Sequence, residues 1–156
     1  MCQDKRHISV WSLNDTSYCN RFPKIIILGP QKTGTTALYT FLNEHPLLES
    51  NKFTHENFEE TQFFSNKNYF KGIDWYLKLF NNPINDSIIL FEKSANYFTE
   101  NKAPLRIKNL LKSPKFVIIT INPVDRAYSW YQVCIFCYFH YYNDCMVNNF
   151  SKINQK

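Results

Sequence analysis

Residues 25–28 form an unbroken apolar run, Ile25-Ile26-Ile27-Leu28, that ends at Gly29; a glycine- and hydroxyl-bearing stretch runs to Thr36, and apolar positions return at Ala37, Leu38, Phe41 and Leu42. A run without alternation predicts a short buried strand, and the three-to-four spacing after it predicts a helix that stops near His45-Pro46. The pattern recurs downstream. Ile88-Ile89-Leu90-Phe91 predicts a second strand, and the β-branched run at 116–121 predicts another, covered on both faces. Residues 103–111 carry Ile107, Leu110 and Leu111 on one side and read as the crossover helix between them. Residues 69–80 read as an amphipathic helix opened near Asp74, with Trp75, Tyr76, Leu79 and Phe80 turned inward. After the last strand, Asn122 suits a helix N-cap and Pro123 a first helical position. Strands alternating with helices predict an α/β fold, a parallel sheet flanked by helices.

The stretch between the first strand and its helix is Gly29-Pro30-Gln31-Lys32-Thr33-Gly34-Thr35-Thr36. A turn with little side-chain bulk lets backbone N–H groups and a helix N-terminus converge on an anion, while Lys32 and the hydroxyls of Thr33, Thr35 and Thr36 add charge and hydrogen bonds. Gly29, Gly34 and Thr36 fall on the fixed positions of the G-x-x-x-x-G-K-[ST] nucleotide loop, but Thr35 stands where the lysine belongs, and Lys32 comes three residues early. A lysine on the near limb of the turn reaches different oxygens from one that heads the helix. The expectation is a phosphate loop not built for a nucleoside triphosphate.

Ligands of open parallel sheets gather outside the carboxyl ends of strands, which is where Lys93 would meet the loop as a second cation. Arg126 and Ser129 lie three apart on the last helix, a guanidinium and a hydroxyl that form a fork for a second phosphate. A triphosphate enzyme of this type holds magnesium on an acid at a strand end, and here that place reads Asn122-Pro123, with Glu92 only a weak candidate. No metal is therefore expected. Residues 57–64 place Glu59 and Glu60 ahead of Phe63 and Phe64, a solvated acidic turn before a buried aromatic anchor unless the loop's ligand lies nearby.

The chain has 156 residues and a formal net charge of +5, enough for one domain with a core and suited to an anionic ligand. Its basic residues are scattered, so nucleic acid is not an expected partner. Two of its three glycines sit in the loop. Its five cysteines include Cys134 and Cys137, and a zinc site would need His140 and Cys145 as well, which are candidates by proximity alone. Sequons begin at Asn14, Asn85 and Asn149, and they permit glycosylation in a secretory compartment. Residues 1–6 do not read as a signal peptide, and the apolar segment at 133–142 is half the length of a membrane span.

Five stretches in order, Gly29 to Tyr39, Phe58 to Phe64, Lys71 to Tyr76, Phe91 to Phe98 and Asn122 to Gln132, resemble the sulfotransferase domain of heparan sulfate N-deacetylase/N-sulfotransferases, and so does the lead-in around Cys2 to His7 and Trp11-Ser12. The resemblance implies a P-loop-like fold that binds 3′-phosphoadenosine 5′-phosphosulfate (PAPS) as sulfate donor, with a heparan sulfate or heparin precursor as acceptor. It assigns the 5′-phosphosulfate to Lys32, Thr33, Gly34, Thr35 and Thr36, and the 3′-phosphate to Arg126 and Ser129. Glu60 matches the base that deprotonates the glucosamine amine; Lys32 and Lys93 match the cations at the leaving phosphate and the transferring sulfuryl group. Trp75 and Trp130 are expected near the acceptor. By the same resemblance the compartment is the Golgi lumen.

Three parts are expected: a lead-in at 1–22, the N-terminal part of a sulfotransferase domain at 23–132, and a divergent tail at 133–156. After Gln132 the chain reads Val133-Cys134-Ile135-Phe136-Cys137-Tyr138, which no longer resembles the family, whose further helices, cysteine-bridged hairpin and basic closing loop are not found in the tail. A truncated form with reduced or no activity is therefore expected. The alternatives are a small-molecule kinase, favoured by the loop and opposed by the displaced lysine, and a non-catalytic fragment that binds PAPS or glycan.

Overall fold

A computed structural model describes residues 21–53, 58–81 and 87–140, with 137–140 described by backbone alone. Residues 1–20 of the expected lead-in, with Trp11, Cys145 and most of the three sequons, lie outside the described residues, whereas Phe22 at its end is a core residue. The chain divides into two compact units, Met1–Thr120 and Ile121–Lys156.

The first unit holds a four-stranded, all-parallel sheet in the order β2-β3-β1-β4. Its strands are β1 (Ile25–Gly29), β2 (Leu48–Ser50), β3 (Ile89–Lys93) and β4 (Lys115–Ile118). Helices α1 (Thr35–Asn43), α2 (Gly72–Lys78) and α3 (Ala103–Leu110) connect them. The unbroken apolar run becomes β1 because it is an inner strand, hydrogen-bonded on both sides, with Ile26 and Ile27 fully enclosed. The α/β class and parallel sheet read from the pattern are what the chain forms.

Alternation along β3 decides what each residue meets. Leu90 belongs to the main core with Ile26, Phe63, Phe64, Ile73, Tyr76, Leu77, Tyr97 and Ile107. Phe91 faces the other way, its ring 5.7 Å from Tyr39 of α1. Within the core, Phe63 stacks on Tyr76 at 4.3 Å, so the expected aromatic anchor is real and fully buried.

Several expectations change. The helix expected near 69–80 is a 3-10 turn, Tyr69–Lys71, followed by α2, which starts ahead of Asp74 and carries that acid in its first turn. Tyr76, Leu79 and Phe80 are buried and Trp75 partly so. On α1, Phe41 is 74% exposed despite its helical spacing, because the helix turns Tyr39 toward the sheet. The strand expected at 116–121 covers only Lys115–Ile118, and Phe116 and Ile118 are about half exposed rather than covered on both faces. Among the described residues it is an edge strand paired with β1 alone, so β-branching reports strand propensity but not burial.

The second unit contains α4, Pro123–His140, which runs unbroken past Gln132, so the expected boundary at 132 falls inside a helix. Asn122 caps it: its side-chain oxygen accepts the Val124 N–H at 2.9 Å. Among the described residues, no helix is long and apolar enough to cross a membrane, and no group of His, Cys, Asp and Glu could hold a metal ion. Cys134 is an exposed free thiol, and the side chains of Cys137 and His140 lie outside what is described.

Candidate functional site

The loop from Gly29 to Thr36 turns back on itself through three residues of positive φ: Gly29 (99°), Lys32 (66°) and Gly34 (92°). Gly29 leaves β1 pressed against the turn after β3; a Cβ there would stand 2.5 Å from the Ala95 carbonyl oxygen. Gly34 is the N-cap of α1, and a Cβ there would meet nothing within 4 Å. Gly29→Ala should therefore cost on the order of 2–5 kcal/mol, left-handed strain plus a backbone clash, and Gly34→Ala only about 1–2 kcal/mol. Urea unfolding of both variants checks this, and equal losses would contradict it.

No side chain caps α1, so the N–H groups of its first turn are not claimed by a capping residue. The Thr33 hydroxyl donates to the Pro30 carbonyl at 2.7 Å and holds the loop closed, and Gln31 donates to Asn96 in the turn after β3. Thr35 is buried in the first turn of α1. Lys32 is half-buried, and among the described residues no hydrogen bond or ion pair engages its ammonium. Among the described residues, Lys32 of the loop has no partner for its ammonium, whereas the hydroxyls of Thr33 and Thr36 are engaged within the protein.

Lys93 ends β3, and its side chain is 2% exposed. Its ammonium lies 2.7 Å from Glu59 Oε1, 3.2 Å from Glu60 Oε1 and 3.0 Å from Thr36 Oγ1. Thr36 in turn donates to Glu59 at 2.9 Å. The acidic segment is thus no solvated turn. It pairs with the end of β3 through a parallel bridge between Glu60 and Lys93 and lies against the first turn of α1. Burial pushes the Glu59 carboxyl up, but hydrogen bonds from Lys93 and Thr36 and the ammonium charge outweigh it and hold the group below its ordinary range. Glu60 accepts a second contact, from Gln62 Nε2 at 3.2 Å, and stays 15% exposed.

Behind this surface lies a buried polar layer. Thr61 Oγ donates to Glu92 Oε2 and takes a 2.9 Å hydrogen bond from the Tyr97 hydroxyl, which accepts the Phe64 N–H at 3.1 Å. The Gln62 N–H donates to Ser94 Oγ at 2.9 Å, and Asn68 Nδ2 donates to the Thr61 carbonyl at 2.8 Å. Glu92 is fully buried; desolvation pushes its carboxyl up to about 7 against the hydrogen bond from Thr61 and the nearby hydroxyls of Tyr76 and Tyr97, and the charge of Glu60 adds to the rise. The Tyr76 hydroxyl comes close to Glu92 without completing a bond of good geometry, and among the described residues Glu92 Oε1 has no hydrogen-bond partner.

Lys32, Thr33, Gly34, Thr35, Thr36, Glu60 and Lys93 therefore fall in one region of the first unit, as the reading of strand ends requires. Trp75 packs against the core, its ring 6.4 Å from that of Phe63, with Lys71 Nζ 4.6 Å over it. Arg126, Ser129 and Trp130 lie on α4 in the second unit, all half-buried, with Arg126 and Ser129 one turn apart. Residue order gives Thr61 no role, Glu59 only a place in an acidic turn, and Glu92 only that of a weak metal-ligand candidate. A signal existed for Glu92: it continues an apolar strand at the same alternation as core-facing Leu90, and an acid in that place needs a buried partner.

The profile of the sulfotransferase domain matches residues 22–154. The chain is 58% identical over 132 residues to human bifunctional heparan sulfate N-deacetylase/N-sulfotransferase 1, covering 84% of this chain and 15% of that protein. Human bifunctional heparan sulfate N-deacetylase/N-sulfotransferase 3 is 53% identical over the same span. Among solved structures, a sulfotransferase from Alicyclobacillus acidocaldarius superposes with a TM-score of 0.61 at 25% identity, over 73% of this chain and 50% of that one. A parallel sheet with a glycine loop ahead of α1, an acid pair locked on a strand-end lysine, and a profile match across most of its length make this chain a member of the sulfotransferase domain family.

Proposed function

We propose that this sulfotransferase moves a sulfuryl group from PAPS to the glucosamine amine of a heparan sulfate or heparin precursor, in the Golgi lumen. The observation that carries the reading is the convergence of the first turn of α1, which no side chain caps, Lys32 and the Glu60–Lys93 pair in one region. The site fits the donor's phosphosulfate: open space over Gly34 leaves room for an anion at the head of α1, and Lys32 is placed to supply charge. The amine acceptor is supported by the names of relatives that this chain matches over 84% of its length, while spanning only 15% of theirs. Assignment of the 3′-phosphate to Arg126 and Ser129, and of acceptor contacts to Trp75 and Trp130, rests on the resemblance of their motifs.

In this reading Glu60 takes the proton of the attacking amine as the nitrogen–sulfur bond forms. The bond from sulfur to the bridging phosphate oxygen breaks, leaving a sulfamate and 3′-phosphoadenosine 5′-phosphate. Lys32 faces the charge that builds on the departing phosphate. Lys93 holds the Glu59 carboxyl below its ordinary range, pairs with Glu60 and, at 3.0 Å from Thr36, stands beside the loop where the sulfuryl group passes.

Thermal unfolding with added ligands tests the donor. 3′-Phosphoadenosine 5′-phosphate at about 100 times its Kd should stabilise the chain by roughly 2.7 kcal/mol, equally with magnesium or EDTA, and ATP with magnesium should not. Stabilisation by magnesium-ATP alone would favour the kinase reading instead.

A further inference from the structure

Glu92 and Lys93 are neighbours on β3, yet their side chains leave opposite faces of the strand, and the segment opposite them is split the same way. Glu60 reaches Lys93 on the side of α1, and Thr61 reaches Glu92 on the core side. The segment that carries these residues is not at rest by itself. Phe58 (φ 53°) and Gln62 (φ 48°) at its two ends both hold a left-handed backbone that non-glycine residues disfavour. Something must hold it. The ion pairs on the surface side are open to solvent at Glu59 and Glu60, whereas Thr61, Glu92, Ser94, Asn68 and Tyr97 are all enclosed.

We propose that Glu92 is the positioning residue of the acid pair: its enclosed carboxyl, bonded to Thr61, fixes the 59–62 segment against β3 and so sets Glu60 on Lys93. This deepens the sulfotransferase reading and rests on it for Glu60's role in catalysis. Thr61 is suited to the link because its hydroxyl donates to Glu92 while accepting from Tyr97, leaving one orientation for the side chain. The titratable groups that face Glu92 are Tyr76 from α2, Tyr97 from the turn after β3 and Glu60 from the segment itself. Burial holds both tyrosines well above their ordinary range, so they stay protonated throughout the physiological span. The charge of Glu60 reaches Glu92 across the strand and adds to the rise of its carboxyl.

The test needs no turnover. A buried, ion-paired lysine ammonium exchanges its protons slowly enough to be followed by ¹H–¹⁵N NMR, and Lys93 should give such a signal in the wild-type chain. Thr61→Val should abolish it, because the segment releases Glu59 and Glu60. Thr61→Ser, which restores the hydroxyl, should bring it back. Tyr76→Phe removes a buried hydroxyl that has no partner of good geometry, and it serves as the control for loss of core order. It should leave the signal in place. In parallel, ¹³C NMR of the Glu92 carboxyl should show its titration moving to lower pH in Glu60→Gln. A Lys93 signal that survives Thr61→Val, is lost equally in Tyr76→Phe, or fails to return in Thr61→Ser would overturn the proposal, as would a Glu92 titration indifferent to Glu60. Failure of 3′-phosphoadenosine 5′-phosphate to bind the wild-type chain would sink the donor reading and leave these signals to decide the positioning role separately.

Discussion

Glu60→Gln is expected to cut sulfate transfer by roughly 10²–10⁴-fold, the usual share of a general base, while leaving affinity for 3′-phosphoadenosine 5′-phosphate within about twofold. Glutamine keeps the shape and one acceptor oxygen toward Lys93, so the segment stays in place, but it cannot take a proton from the amine. Lys32→Ala should behave differently. Lys32 meets the donor in both the ground and the transition state, so binding and turnover fall together. Single-turnover transfer of labelled sulfate to de-N-sulfated heparan, with calorimetry of donor binding beside it, separates the two. Wild-type turnover by Glu60→Gln would remove Glu60 from the chemistry, and unchanged donor affinity in Lys32→Ala would remove Lys32 from the donor site.

Raising the pH from about 5 to 8 should weaken the fold by about 3 kcal/mol through Glu92 alone, because a difference of about 2.5 pKa units at about 1.4 kcal/mol per unit separates its folded and unfolded titrations. The unfolded chain gives up this proton near the ordinary 4.5, and the folded chain keeps it to about 7. Between those values the folded state binds more protons, so stability falls as pH rises through the window and levels off above it. Glu59 works in the opposite sense and elsewhere. Its depressed carboxyl contributes stability that is present above its unfolded value and is lost as pH falls through the lower folded one. Urea unfolding of wild type and Glu92→Gln at pH 5 and 8 isolates the Glu92 share: the variant should gain on the wild type as pH rises. A constant difference between them would show that Glu92 does not keep its proton in the fold.

The parts of this architecture that could be read from residue order are those where local pattern and final burial agree. Ile25 to Leu28 is apolar without a break and becomes an inner strand; two of three glycines and a lysine sit after it and become the loop. Lys93 follows an apolar strand and arrives beside that loop for the reason strand-end residues usually do. What could not be read depends on long-range pairing. Leu48-Glu49-Ser50 has no strand pattern, and it is a strand because its backbone bonds to β3. Phe116 and Ile118 look like interior residues and lie at an edge. Glu59 and Glu60 look like solvated acids, and only the fold shows that one buried ammonium takes both.

The two loop glycines answer to different pressures, and this bears on how the domain can evolve. Gly29 is held by the protein's own backbone at Ala95, so every descendant that still folds should retain it whether or not it transfers sulfate. Gly34 faces empty space, so the fold tolerates a small polar residue such as Asn there at modest strain, and only an anion arriving at the head of α1 would object. Lineages that abandon catalysis but keep the domain as a scaffold should therefore drift first at position 34 and last at position 29. In a saturation library, selection for folded abundance should forbid nearly all change at 29 and permit several residues at 34, whereas selection for donor capture should close both.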